Sequence, residues 1–166
     1  IPYDDDSKDV IILFEAIYYI KNVDKFFYEC KRVLRPGGII LIATANKDLY
    51  DFNPSPFSHK YFGVREFKQV FGNLGWESEF YAYLDTNEVS IKQKIFRPIK
   101  ALASKLNLIP KTMNGKRFLK KMVFGKLVNI PKQLELRMID YTEPLKIDHD
   151  KPNMTHKVIY AVAKVI

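Results

Sequence analysis

The segment Lys31–Asn46, KRVLRPGGIILIATAN, limits the possible folds more than any other stretch of the chain. Leu34 is read as closing an apolar helical face. Arg35 and Pro36 stop the helix, because a residue before proline is pushed out of the α region and proline has no N–H to donate. Gly37 and Gly38 supply positive φ or a tight reversal. Ile39–Ala43, IILIA, is uncharged and β-branched, so it is expected to be a strand covered on both faces. A helix feeding such a strand is half of a parallel α/β unit. The expected fold is therefore an α/β sheet whose ligand-bearing edge lies just beyond Ala43.

The 166 residues suffice for one domain with a real core, and a chain that is 47% apolar is not disordered. Cys30 is the only cysteine. It forms no internal disulfide, suits a reducing compartment, and is read as an inert core residue. The opening acidic run Asp4–Asp6 does not resemble a signal peptide, and Val10–Ile20 is broken by Glu15 and too short to span a bilayer. A cytoplasmic location is the expectation. The net charge of +8 is local: Val89–Leu134 holds twelve lysines and arginines and no acidic residue.

Taken in order, Val10–Phe14 reads as a first buried strand. A helix follows, capped by Asn22 or Asp24, with Phe26, Phe27, Cys30 and Val33 facing the sheet and Lys25, Lys31, Arg32 and Arg35 solvated. Residues 46–63 form a long loop of the kind that carries function. Val64–Leu74 is a helix ended by Gly75, Trp76–Leu84 a strand near the sheet edge, and Lys157–Ile166 a last strand. Between them, one short helix is expected to begin at Pro98. Another follows Gly115, with Phe118, Leu119, Met122, Val123 and Leu127 on one face.

This order, with its CKRVLRPGGIILIATAN and HKYFGVREFKQVFGNLGW segments, resembles the second half of class I S-adenosylmethionine-dependent methyltransferases of the type 11 kind. The resemblance covers nearly all of Ile1–Trp76 and the last ten residues. It implies a partial Rossmann-like sheet made of the family's strands four, five, six and antiparallel seven. On this reading residues 1–88 and 156–166 form the C-terminal half of the domain, and 89–155 a basic, mostly helical lid. The family's glycine-rich cofactor loop and ribose-binding acid precede the position of Ile1, and no G-x-G occurs here. An N-terminal half of roughly one hundred residues is expected upstream. Without it, Val10–Phe14 is an apolar edge expected to pair with that half or with a second copy of the chain.

The resemblance implies S-adenosylmethionine as cofactor, with Phe14, Glu15, Ala16 and Tyr19 beside its methionine end. Tyr19 stands where many relatives carry histidine. Glu15 either orients acceptor or cofactor, or caps the next helix. His59 either acts as general base on an acceptor hydroxyl, or caps the Val64 helix or packs under its loop. No metal site is expected; His149, between Asp148 and Asp150, reads as part of a solvated turn, and His156 stands alone. The implied activity is methyl transfer to oxygen or nitrogen of a small-molecule, sugar-linked or lipid-linked acceptor. The alternative is a non-catalytic binding module that works through its basic insertion. That insertion reads as a solvated lid, a surface for an anionic acceptor, or a membrane contact. In the last case Ile95, Phe96, Ile99, Leu102, Ala103 and Leu106 form a stripe flanked by Lys92, Lys94, Arg97, Lys100 and Lys105. Sparse aromatics give no clear nucleic-acid signature.

Overall fold

The computed structural model describes residues 1–87, 91–106, 108–110, 112–124, 132–133 and 141–166. Its elements are β1 (Lys8–Phe14), α1 (Val23–Val33), β2 (Leu34–Ala45), α2 (Val64–Asn73), β3 (Glu77–Asp85), α3 (Ile91–Lys105), α4 (Met113–Phe124), β4 (Leu145–Lys146) and β5 (His156–Lys164). A single 3₁₀ turn, Ile17–Tyr19, follows β1. The sheet order is β1-β2-β5-β3-β4. β1 and β2 run parallel, and β5 is antiparallel to both of its neighbours, β2 and β3. The fold is thus the expected partial Rossmann-like α/β sheet, with the last strand inserted between the second and third.

Local chemistry explains the elements. Asn22 is the N-cap of α1, its Oδ1 accepting from the Lys25 N–H at 2.9 Å. The helix ends one residue earlier than expected: Leu34 already has the extended angles φ −78° and ψ 133°. It is buried as the first residue of β2, not as part of a helical face. The Arg-Pro-Gly-Gly turn is consequently an irregularity inside β2. Lys8 pairs with Leu34, but Val10 already pairs with Ile39. Gly37 has φ +80°, whereas Gly38 is needed for space. A Cβ on Gly38 would lie 2.8 Å from the Arg35 carbonyl oxygen and 3.2 Å from that of Asp9.

Strand alternation shows where the core sits. Ile40 and Ile42, beside Ile11 and Leu13, belong to one cluster with Phe27 and Cys30 of α1 and Phe67 and Phe71 of α2. Phe71 is central, its ring 5.6 Å from Phe27, 5.8 Å from Trp76 and 6.5 Å from Phe80. Each such pair contributes about 0.5–1.5 kcal/mol beyond area burial. Both helices therefore lie on one face of the sheet, and the expectation that Ile39–Ala43 is covered on both faces is corrected. On the other face Val10, Ile12 and Phe14 are 52%, 60% and 55% exposed, and Ile39 is exposed beside them. Further along the same face Leu41 is half-buried and Ala43 buried, so the exposure is confined to the β1 side and Ile39.

Two further expectations change. Pro98 lies within α3 instead of starting it. Its position cancels one helical hydrogen bond to residue 94, a cost offset where this helix docks through Arg97 and the buried Ala101. Arg32 is not simply solvated: its guanidinium is held by Glu29 and Asp5, while the Lys31 ammonium donates to the Leu74 carbonyl at 2.8 Å. Leu127 and the side chains of Lys92, Lys94, Met122 and Val123 lie outside the described residues. No described helix is long and apolar enough to cross a membrane.

Gly38→Ala is expected to lose about 1–3 kcal/mol, because both close contacts are rigid backbone. Gly72→Ala, with nothing within 4 Å of its added methyl, is expected to be neutral or to gain up to about 1 kcal/mol. Urea unfolding of the two variants checks this; equal effects would contradict the close-approach account.

Candidate functional site

The parallel pairing of β1 with β2 ends at Phe14 and Ala43, and the Glu15 N–H then donates to the Ala43 carbonyl at 2.8 Å. Glu15 has φ +51°, a left-handed conformation that a non-glycine residue adopts at some cost. This turns the chain sharply into Ile17–Tyr19, anchored by the fully buried Ile17. The cap position of that turn is Ala16, with no side-chain cap. Glu15 instead accepts from the Tyr18 hydroxyl at 3.0 Å. The helix-cap reading of Glu15 is therefore replaced by a carboxylate–tyrosine pair.

Tyr18 joins this turn to the 46–63 loop. Its ring stacks on Tyr61 at 4.5 Å and meets Tyr19 edge-on at 4.6 Å; Tyr61 in turn meets Phe52 edge-on at 4.8 Å. The His59 N–H donates to the Tyr18 carbonyl at 2.7 Å. Burial, then the hydrogen bond to Glu15 and that carboxylate's charge, raise the Tyr18 hydroxyl well above the ordinary tyrosine range. It stays a protonated donor, fixing one Glu15 oxygen and leaving the exposed carboxylate able to accept from a ligand.

Phe14, Glu15, Ala16 and Tyr19 lie at or just after the end of β1, with Phe14, Glu15 and Tyr19 exposed and Ala16 half-buried. The His59 side chain is exposed in the adjoining loop. It does not cap α2: the Glu66 carboxylate accepts from the Gly63 N–H at 2.7 Å there. Cys30 is buried, and desolvation pushes its thiol up to about 12, in keeping with an inert core residue. Asp148, His149 and Asp150 form a surface turn in which His149 Nδ1 lies 2.9 Å from Asp150.

The other side of the loop is held by charge. Asp51 and Arg97 are only 7% and 11% exposed, and Arg97 Nη2 donates to Asp51 at 2.9 Å. Lys100 reaches the second oxygen at 3.2 Å, Arg97 also donates to the Thr86 carbonyl, and its guanidinium lies 4.8 Å from the Tyr50 ring centre. Burial by itself would raise the Asp51 carboxyl, but hydrogen bonds from Arg97 and Lys100 outweigh it and hold the group below its usual range. Arg97 is therefore no solvated flank of a stripe. Nothing local in the sequence marks this pair, whose members are 46 positions apart. Asn46 was equally hidden: it is buried and donates to the Asn153 and His156 carbonyls at 2.6 and 2.8 Å, tying the end of β2 to the start of β5.

Comparison with known proteins now bears on this geometry. Residues 1–42 match the methyltransferase domain family. A probable S-adenosylmethionine-dependent methyltransferase of Mycolicibacterium smegmatis is 32% identical over 83 residues, which are 48% of this chain and 32% of that protein. A ubiquinone biosynthesis O-methyltransferase of Agrobacterium fabrum is 41% identical over 44 residues, 26% of this chain and 18% of the relative. An S-adenosylmethionine-dependent methyltransferase from Archaeoglobus fulgidus shares the fold with a TM-score of 0.51 at 14% identity, covering 96% of this chain and 60% of that one. The family match over residues 1–42 and the relatives make the chain similar to S-adenosylmethionine-dependent methyltransferases, and its fold agrees with theirs. The chain spans about a third of the first of these curated relatives.

Arg97→Met is expected to weaken the attachment of α3 by about 3 kcal/mol, because it leaves a buried carboxylate with reduced pairing. Asp51 has a lowered folded-state pKa, so its contribution is complete above the unfolded carboxylate value near pH ~4 and fades as pH falls through the lower folded value. Amide exchange in α3 measured against pH checks both points; unchanged protection in the variant would contradict them.

Proposed function

We propose that this chain supplies the acceptor-side half of an S-adenosylmethionine-dependent methyltransferase acting on oxygen or nitrogen of a small or lipid-linked acceptor. The observation that carries the reading is the strained Glu15 at the joint end of the parallel pair, since ligands of open α/β sheets sit beyond the carboxyl ends of such strands. The residues present fit one end of the cofactor: Phe14 offers an exposed apolar wall, and the Glu15 carboxylate, oriented by Tyr18, accepts from an amino group. When bound, the cofactor supplies an activated methyl group on a sulfonium. The chain's own contribution is positioning, with His59 available to take a proton from an acceptor hydroxyl. On this reading a segment that pairs with the free edge of β1 supplies the glycine-rich part of the pocket; a second copy of this chain, which has no G-x-G, could pair there but could not supply it.

The A. fulgidus likeness supports the architecture alone, and a [4+2]-cyclase, SpnF, has the same fold at a TM-score of 0.50 and 12% identity. The chemistry therefore rests on the site. Calorimetry on the full-length protein is expected to show binding of both S-adenosylmethionine and its demethylated product. Phe14→Ala is expected to weaken both by about tenfold without altering the melting temperature, because the ring packs on the ligand and not on the core. Absence of binding to either compound would overturn the proposal.

A further inference from the structure

A cavity of about 550 Å³ lies beyond the Asp51–Arg97 pair, bounded by the 51–53 loop, α3, α4 and the first residue after His156. It is within the size range of small-molecule sites. Its walls divide into two chemistries. Phe96, Ile99, Ala103, Ile109 and Leu119 supply apolar lining, and Lys100, Lys116, Lys120 and Lys157 supply basic lining. Ile99 and Leu119 remain 57% and 39% exposed, a cost that an apolar occupant would relieve.

The charge balance is lopsided. Asp51 is the one carboxylate of the lining, and it is already engaged by Arg97 and Lys100. Among the described residues no carboxylate comes within 4.0 Å of the Lys116, Lys120 or Lys157 ammonium groups. Three cations beside an apolar wall, with the one carboxylate of the lining occupied, call for an anion attached to an apolar body. Position adds to this. Lys157 leads into the part of β5 that pairs with the end of β2, and its carbonyl accepts from the Asn46 N–H at 2.9 Å. The cavity therefore opens on the same carboxyl edge of the sheet as Glu15. One loop serves both: Phe52 and Tyr61 pack toward Tyr18, and Asp51 and Asn53 line the cavity.

We infer that this cavity binds an anionic amphiphile, its chain or ring against Ile99 and Leu119 and its phosphate or carboxylate at Lys116, Lys120 and Lys157. As the holder of the acceptor, this site rests on the methyltransferase reading above; as a binding site it can be tested without the cofactor. The ligand's source is either a bilayer lipid or a free phosphorylated amphiphile, and the shared chemistry is the same.

The test is calorimetric titration of the protein with decyl phosphate below its micellar concentration, beside decanol and inorganic phosphate. Decyl phosphate is expected to bind saturably and at least about tenfold more tightly than either half alone. The double variant Lys116→Ala, Lys120→Ala is expected to lose about tenfold for decyl phosphate and little for decanol. Ile99→Asp, on an exposed position that folding does not require, is expected to lose about tenfold for both. Inorganic phosphate or decanol binding as tightly as decyl phosphate would overturn the inference, as would unchanged binding in all variants. Sedimentation with phosphatidylglycerol vesicles identifies the source. Co-sedimentation reversed by decyl phosphate supports a bilayer lipid, and retention in the supernatant with intact decyl phosphate binding supports a free one. Decyl phosphate binding without any cofactor binding would sink the methyltransferase reading and leave this site standing.

Discussion

The parallel pairing of Lys8–Phe14 with Leu34–Ala45 is the constraint on which the rest depends. A parallel pair needs a crossover, and here α1 provides it, placing Phe27, Cys30 and Val33 against one face of the sheet. Because α2 returns to that face, Phe71 links both helices to Trp76 and Phe80 in a one-sided core. The same register ends the pairing at Phe14 and Ala43, after which Glu15 bonds to Ala43 and the chain turns in a left-handed conformation. Fold and candidate site therefore share one cause. The open side of β1 has the same origin: Val10, Ile12 and Phe14 alternate with the half-buried Ile11 and Leu13 and are more than half exposed.

The 46–63 loop divides the carboxyl edge into two environments. On one side, stacked and edge-on rings hold Tyr18, Tyr61 and Phe52 together, and the Tyr18 hydroxyl fixes a carboxylate oxygen. On the other, a nearly buried ion pair fastens α3, whose apolar residues Ile95, Ile99 and Leu102 remain exposed. Aromatic stacking changes little with pH, whereas the Asp51 pair is lost in acid. The loop is thus held by two attachments of different chemistry.

Much of this was legible where the signal is local. Asn22 three residues before Lys25, the Gly75 helix end with φ +75°, and the alternation of the last strand each correspond to an observed element. The role of Gly38 was legible only as a turn, since its need for space depends on Asp9, on another strand. Pro98 is a preferred first helical residue, yet α3 begins before it and Arg97 within it reaches Asp51. An uncharged run such as Ile39–Ala43 also does not require full cover on both faces, since Ile39 is exposed while Ala43 is buried. At the site, Phe14, Glu15, Ala16 and Tyr19 rest on resemblance, and the structure adds the left-handed turn at Glu15 and the Tyr18 hydroxyl that holds its carboxylate. Asp51, Asn46 and Tyr18 act through partners that become neighbours only on folding, and no spacing rule could single them out.

In the proposed function the end of β1 meets the cofactor. Ultraviolet cross-linking of methyl-labelled S-adenosylmethionine to the full-length protein, followed by peptide mapping, tests it most directly. The account predicts label within Phe14–Tyr19, competed away by the demethylated product. Label confined to other peptides, or label in these residues that the product fails to displace, would contradict it.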